Sequence, residues 1–471
     1  AREDSHRLIF QFIWDRTDPA PTENRLTIGA PSMRVALSTL GCRLNQFETD
    51  AIKRMLQEVG YRVVDFSEEA DLYIVNTCTI THEADADSRQ TIRRAVRQNP
   101  RALVVVTGCY ANAAPQVLAS IPGVDLVLGN AEKAGLLDYL QSLTKERPQV
   151  AVGEFQKKPP FVLLRPSTDP RRSRAYLKIQ DGCNYRCAFC IVPRVRGRSR
   201  SLPVEAVLQQ LDELVQAGLP EIVLTGIHLG TYGRDLFPST SLAKLVEAMV
   251  PRLGEARLRL SSLDPHEVCD DLVALMKAHQ DRICRHLHLP VQSGDPRILR
   301  LMRRAHTAED FKRLVLRLVE EIQGIALGSD VIVGFPQEGE EEFENTYRLL
   351  ESLPITYLHV FSYSRRAGTD AAAMPGQVPE PVKVKRSKAL RALSARKAMA
   401  FRRSFVGQAL PVVVLNERDK KSGSLVGLSD NYIKVHFEGP DAFKNRWALV
   451  RIEEATGFGA KGRFLSAEEG F

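Results

Sequence analysis

The chain of 471 residues is 44% hydrophobic and 26% charged, a globular composition sized for about three domains, which excludes disorder along its whole length. No apolar run reaches the roughly 20 residues of a membrane helix; the best early stretch, Leu8 to Trp14, is short and contains Gln11, so no membrane partner is expected. The net charge of +8 is concentrated late, where residues 381–471 carry 18 Lys and Arg against 9 Asp and Glu, and such a block points to a polyanion such as nucleic acid.

Residues 1–30, with Pro19 and Pro21, read as a loosely ordered, flexible extension. From Arg34 to Leu143 short apolar runs alternate with helical patterns. Arg34–Thr39, Asp71–Asn76 and Ala102–Thr107 read as strands, with Asp125–Leu128 as a fourth. Asn45 reads as a helix cap paired with Glu48, and Gly60 as the stop. This alternation predicts a parallel, doubly wound α/β sheet. Cys42, Cys78 and Cys109 each follow one of the first three strands. The carboxyl ends of parallel strands form the ligand edge of such sheets. Three thiols far apart in sequence are therefore expected to meet at one metal centre. The alternative is three independent core cysteines.

Between residues 170 and 370 six further strands are expected: Ala175–Gln180, Glu221–Gly226, Arg257–Ser261, Arg285–Pro290, Gly328–Gly334 and Thr356–Phe361. Helical patterns such as Pro203–Gly218 and Ala308–Ile322 separate them. Six β/α units predict a partial or full α/β barrel with its site at the carboxyl ends of the strands. Lys383, Lys385, Arg386, Lys388, Arg391, Arg396, Lys397, Arg402 and Arg403 then crowd an interval that holds no acidic residue. Leu410–Leu415, Tyr432–Phe437 and Trp447–Ile452 read as strands of a small OB-like β-barrel, a fold that binds oligonucleotides through aromatic and basic side chains.

Eight cysteines in a chain without a convincing secretory signal favour a reducing, cytoplasmic home, where clustered thiols suggest metal or catalysis. Residues 181–190 read Asp-Gly-Cys-Asn-Tyr-Arg-Cys-Ala-Phe-Cys, placing Cys183, Cys187 and Cys190 just after the first barrel strand. Structural zinc sites want four protein ligands, and His228 is the nearest fourth candidate downstream. Three thiolates suit instead an iron–sulfur cube with one iron left open.

The triplet resembles the signature of the radical S-adenosylmethionine enzymes. The run Ile191-Val192-Pro193-Arg194-Val195-Arg196-Gly197-Arg198-Ser199-Arg200-Ser201 narrows the resemblance, as do Leu40-Gly41-Cys42-Arg43-Leu44-Asn45-Gln46, Asn76-Thr77-Cys78 and Gly108-Cys109. Leu289-Pro290-Val291-Gln292-Ser293-Gly294 and Asp330-Val331-Ile332-Val333-Gly334-Phe335-Pro336 fit the same pattern. Over residues 33 to 466 the chain resembles the radical S-adenosylmethionine methylthiotransferase family. The resemblance implies an N-terminal methylthiotransferase domain at 31–145, a radical core at 169–400 and a C-terminal TRAM domain at 404–468. It implies two 4Fe–4S clusters and S-adenosylmethionine as cofactors. Cys183, Cys187 and Cys190 would be catalytic, holding the radical cluster whose open iron binds the cofactor. Cys42, Cys78 and Cys109 would hold an auxiliary cluster whose open iron carries the sulfur. Cys269 and Cys284 match no ligand position.

Phe189, Thr225, Gly226, Ser261, Ser262 and Gln292 are the expected cofactor contacts. Arg194, Arg196, Arg198 and Arg200 are candidates for phosphate or carboxylate binding, since guanidinium suits both. Gly-Cys-Arg-Leu-Asn-Gln around Cys42 is closest to the branch acting on N6-threonylcarbamoyladenosine in tRNA. The expected partners are tRNA and a reductant protein of flavodoxin or ferredoxin type. The open alternatives are N6-isopentenyladenosine in tRNA or ribosomal protein S12 as substrate, a radical enzyme without sulfur insertion, and a non-catalytic, metal-stabilised RNA-binding adaptor.

Overall fold

The computed structural model describes residues 33–154 and 160–465. The extension expected over residues 1–30 and the last residues of the 404–468 segment lie outside the described residues. Among the described residues no helix is long and apolar enough to cross a membrane.

The first sheet is wholly parallel. Its strands are β1 (Arg34–Thr39), β2 (Arg62–Val64), β3 (Leu72–Thr77), β4 (Leu103–Gly108), β5 (Leu126–Leu128) and β6 (Gln149–Ala151), in the order β2-β1-β3-β4-β5-β6. Strands covered on both faces read as unbroken apolar runs, and Leu103-Val104-Val105-Val106 is one. Alternate residues feed two cores. Tyr73, Val75, Val104 and Val106 pack on one side, Leu72, Ile74 and Val105 on the other. The chain steps from β1 outward to β2, then back past β1 to β3. That reversal is the crevice where α/β sheets bind ligands.

The second unit is an open arc. β7 (Arg174–Lys178), β10 (Glu221–Thr225) and β11 (Arg257–Leu260) form one parallel sheet; β12 (His286–His288), β13 (Ala326–Val333) and β14 (Tyr357–Ser362) form another. Parallel bridges Leu258↔Ile283 and Ser262↔His288 join them. A short antiparallel pair, β8 (Gln180–Asp181) and β9 (Arg200–Ser201), flanks the triplet loop. Outward side chains such as Leu177, Ile222, Leu260, Leu287 and Val331 pack beneath the surrounding helices. Alternation then turns Lys178, Glu221, Arg259, His286, His288 and Asp330 inward, so the lumen is polar.

The third unit is a closed barrel of β15 (Ala409–Arg418), β16 (Leu425–Ser429), β17 (Lys434–Glu438), β18 (Trp447–Thr456) and β19 (Gly459–Phe464), in the order β15-β16-β17-β19-β18. It is the OB-like barrel expected, with β16 and β19 added. Both added strands carry glycine where walls cross closely. A Cβ on Gly427 would lie 2.2 Å from Val412, and one on Gly462 would lie 2.6 Å from Val450. Those glycines broke the apolar pattern.

One expectation is corrected and one is narrowed. The first helix runs Arg43–Glu58 with Cys42 at its N-cap and no side-chain cap. Asn45 and Glu48 are inside the helix and 1% exposed, occupied elsewhere. Only part of the basic interval is open to a polyanion: its helix, Glu380–Arg403, lies against β14 and sends Leu390 and Leu393 into the arc's core. Arg386 is buried against Glu338 at 2.8 Å, Lys383 donates to the Tyr363 carbonyl, and Lys397 to that of Leu353. Lys385, Lys388, Arg391, Arg396 and Arg403 remain exposed.

The C-terminal barrel closes the amino-terminal end of the arc. Its β16–β17 turn is clamped there: Arg259 donates to the carbonyls of Ser429 and Asp430 at 3.1 and 3.0 Å, and Arg285 pairs with Asp430 at 2.6 Å. Trp447 Nε1 donates to the Pro220 carbonyl.

Candidate active site

Cys42, Cys78 and Cys109 follow β1, β3 and β4 at the crevice of the first sheet. They meet because the backbone there is tight. Gly41 and Gly108 sit at φ +94° and +100°, which side chains rarely adopt. A Cβ on Gly41 would lie 2.8 Å from Cys78 Sγ, and one on Gly108 would lie 2.4 Å from the Thr77 carbonyl. Burial pushes the Cys78 thiol up to about 12, and the nearby Cys109 and Cys42 add to the shift. Burial also raises Cys109.

The second trio lies on the loop after β8. Cys190 N donates to the Cys187 carbonyl at 3.0 Å. Burial raises Cys183 to about 11 and Cys190 to about 12, with the neighbouring thiols of the trio contributing. Two sets of unpaired thiols suit a metal centre, which binds thiolates and displaces the protons that burial holds on Cys78, Cys109, Cys183 and Cys190.

Polar groups surround both trios. His228 Nδ1 lies 3.3 Å from Cys183 Sγ, and its Nε2 lies 2.7 Å from Glu267. Arg304 donates to Cys187 at 3.5 Å and pairs with Asp264. On the other side Arg196, fully buried, donates to Cys109 Sγ at 3.3 Å, to Glu48 at 2.8 Å and to Asn45 at 2.6 Å. Lys178 pairs with Asp181 at 2.7 Å, Arg200 pairs with the same carboxylate at 3.2 Å, and Lys133 pairs with Glu48. Burial works against ionising Glu48, yet Arg196, Lys133 and Lys178 together hold it well below the carboxylate range. Four buried cations thus face two carboxylates beside Cys109. The surplus positive charge favours an anionic thiolate assembly there.

The two trios share a wall. Cys109 packs against Ile191 and Val195 of the triplet loop. A cavity of about 200 Å³ opens beside Cys190, lined also by Ile80 and Thr81 shortly after Cys78 and by Phe189, Ile191, Gln292, Asp330, Ile332 and Phe361 among others. Of the expected cofactor contacts, Phe189 and Gln292 line this cavity. Thr225, Gly226, Ser261 and Ser262 do not. Thr225 and Ser261 are buried at the ends of adjacent strands, and the Ser261 hydroxyl has no partner among the described residues. Ser262 is exposed. The arginine run is corrected: Arg196 and Arg200 are buried in the ion network, so neither is open to a phosphate, while Arg194 and Arg198 are exposed.

Sequence reading missed Glu48, Lys133, Lys178 and Asp181 as a unit, and Arg304 and Asp264 beside the triplet. Charged residues inside apolar periodic stretches were the available signal, for buried charges are paired.

Residues 34–129 match the family described as Uncharacterized protein family UPF0004, and residues 177–350 match the Radical SAM superfamily. Threonylcarbamoyladenosine tRNA methylthiotransferase MtaB of Bacillus subtilis is 40% identical over 439 residues, 92% of this chain and 97% of its own length. The chain belongs to the radical S-adenosylmethionine methylthiotransferase family. Another member, tRNA-2-methylthio-N(6)-dimethylallyladenosine synthase of Moorella thermoacetica, is 34% identical across 91% of this methylthiotransferase and 97% of its own length. Among solved structures the radical S-adenosylmethionine methyltransferase TsrM of Kitasatospora setae aligns with TM-score 0.54 at 20% identity, over 72% of this chain and 77% of that one, a likeness of fold.

Proposed function

We propose that this methylthiotransferase acts on C2 of N6-threonylcarbamoyladenosine next to the tRNA anticodon, giving 2-methylthio-N6-threonylcarbamoyladenosine. The observation that carries the reading is a cavity of about 200 Å³ bounded by Cys190 of the second trio and by Ile80 and Thr81, which follow Cys78 of the first. In this reading Cys183, Cys187 and Cys190 hold the radical 4Fe–4S cluster, and Cys42, Cys78 and Cys109 hold the auxiliary one. The identity to methylthiotransferases named for threonylcarbamoyladenosine supports the substrate.

The chemistry explains why such parts are needed. The hydrogen on C2 of adenine is not acidic, so acid–base groups have no purchase on it. When bound, the clusters and S-adenosylmethionine supply the radical and the methylthio group. The chain's own residues position and shield. Phe189, Ile191 and Ile332 give the cavity an apolar wall that excludes water. Gln292 and Asp330 offer the polar contacts that orient a base. Arg304 and His228 hold Cys187 and Cys183; Arg196 holds Cys109. The exposed Lys385, Lys388, Arg391 and Arg403 meet phosphates, which position the RNA without reading sequence. A one-electron donor of flavodoxin or ferredoxin type serves the radical cluster, and the reducing cytoplasm suits eight free thiols.

The test is nucleoside analysis of tRNA from a deletion strain. The 2-methylthio derivative of threonylcarbamoyladenosine disappears while that of isopentenyladenosine persists. The opposite pattern would move the enzyme to the other branch.

A further inference from the structure

The arginines around the lumen differ in how their charge is met. Arg174 and Arg259 share Glu221 at 2.5 and 2.7 Å. Arg196 has Glu48, Arg200 has Asp181 and Arg304 has Asp264. Arg43 has no carboxylate within ion-pair distance among the described residues. Its one hydrogen bond there runs from Nη2 to the Tyr432 hydroxyl, at 2.8 Å. It is half-buried and follows Cys42 directly. An uncompensated cation therefore follows the first proposed sulfur ligand in the chain, with its guanidinium directed at Tyr432.

Its single partner comes from the far end of the chain. Tyr432 tops the β16–β17 turn, whose Ser429, Asp430 and Asn431 are at most 1% exposed. The residue sits at φ +69°, a strained setting for a tyrosine that survives only where its surroundings fix it. Arg259 and Arg285 fix it by gripping the turn. Its ring stacks on His286 at 4.2 Å between centres, and the Arg43 guanidinium lies 5.8 Å from the ring centre. Burial holds His286 well below its ordinary range, so the imidazole is neutral and does not substitute for Arg43 as a cation. Thus Arg43 is aimed rather than free, with donors left unused.

A threonylcarbamoyl group carries a carboxylate, ionised at neutral pH; an isopentenyl group carries no charge. Bringing that carboxylate into a half-buried lumen without a cation is unfavourable. The guanidinium fork matches a carboxylate with two parallel hydrogen bonds. We propose that Arg43, aimed by Tyr432, receives the carboxylate of the N6-threonylcarbamoyl group and so selects that substrate. This rests on the function proposed above. Arg43 is the binding residue, and Tyr432 is its positioning residue.

The test uses full-length, cluster-reconstituted enzyme and three anticodon stem-loop RNAs. They carry threonylcarbamoyladenosine, its methyl ester, or isopentenyladenosine. Binding is read by fluorescence anisotropy, and turnover by nucleoside analysis. The wild type binds the acid about tenfold tighter than the ester, the scale of one charge-assisted hydrogen bond. Arg43→Gln brings that ratio to about one, Arg43→Lys keeps part of it, and Tyr432→Phe lowers it to about threefold. Iron content reports whether Arg43→Gln keeps its clusters; if it does not, Tyr432→Phe decides by the same ratio. A wild type that methylthiolates the acid RNA, with variants that retain the tenfold ratio, overturns the assignment of Arg43 alone. A wild type that turns over only the isopentenyl RNA overturns the proposed function and this inference with it.

Discussion

Replacing Arg196 by methionine keeps a long side chain and removes the charge. The guanidinium is fully buried and serves Cys109, Glu48, Asn45 and Asp181 at once. Breaking a buried ion pair by deleting one partner costs about 3–5 kcal/mol. Lys133, Lys178 and Arg200 still face the two carboxylates, so we expect the lower end, about 3 kcal/mol. Asn45 Oδ1 also loses its donor. Because Arg196 comes from the triplet loop and Glu48 from the first sheet's helix, the loss falls on the join between sheet and arc. Urea denaturation followed by circular dichroism should show the lower midpoint. Limited proteolysis should cut earlier between residues 145 and 170. Iron should fall from about eight per chain toward four, since one cube loses a supported ligand. An unchanged midpoint together with full iron would refute the account of this network.

Gly108→Ala should abolish iron at the first trio, because its Cβ would meet the Thr77 carbonyl at 2.4 Å and Asn76 Oδ1 at 2.6 Å; iron and sulfide assays check it. Burial raises Glu221, but Arg259 and Arg174 outweigh it and hold the carboxyl at about 2, below an unfolded value near 4.5. A depressed carboxyl contributes stability above the unfolded value and loses it as pH falls toward the folded one, so acid denaturation should steepen between pH 4.5 and 2 by about 3 kcal/mol. Glu221→Gln should be less stable at neutral pH and show a flatter profile over that interval. Replacing Lys385, Lys388 and Arg391 together by glutamate should weaken tRNA binding and reduce the slope of log affinity against log salt by about 0.7–0.9 for each phosphate no longer neutralised. An unaltered slope would place the RNA elsewhere.

The sequence was most legible where periodicity and chemistry agreed. Six arc strands and four strands of the first sheet follow from alternating apolar runs bounded by Gly, Pro and Asp. The six cysteines stand out by spacing and by their place after strands. Short edge strands such as β2 and β6 did not stand out, since three residues carry no period. The role of Glu48 was hidden because a glutamate three residues after an asparagine has a local explanation at a helix start. Only the fold brings Lys133, Lys178 and Arg196 to it from separate elements. Tyr432 was equally hidden: it reads as the first residue of a strand, whereas it tops the turn before β17, and the clamp that fixes that turn comes from Arg259 and Arg285 more than a hundred residues away. The basic helix misled in the opposite sense, because charge counting cannot see that Arg386 and Lys397 face the arc.

The most direct test of the central claim is the product made by the purified, reconstituted enzyme on one anticodon stem-loop bearing threonylcarbamoyladenosine. Wild-type protein should yield the 2-methylthio nucleoside and 5′-deoxyadenosine. The variant with Cys42, Cys78 and Cys109 all replaced by alanine should still yield 5′-deoxyadenosine and no methylthio product. Methylthio product from that variant, or none from the wild type, would contradict the account.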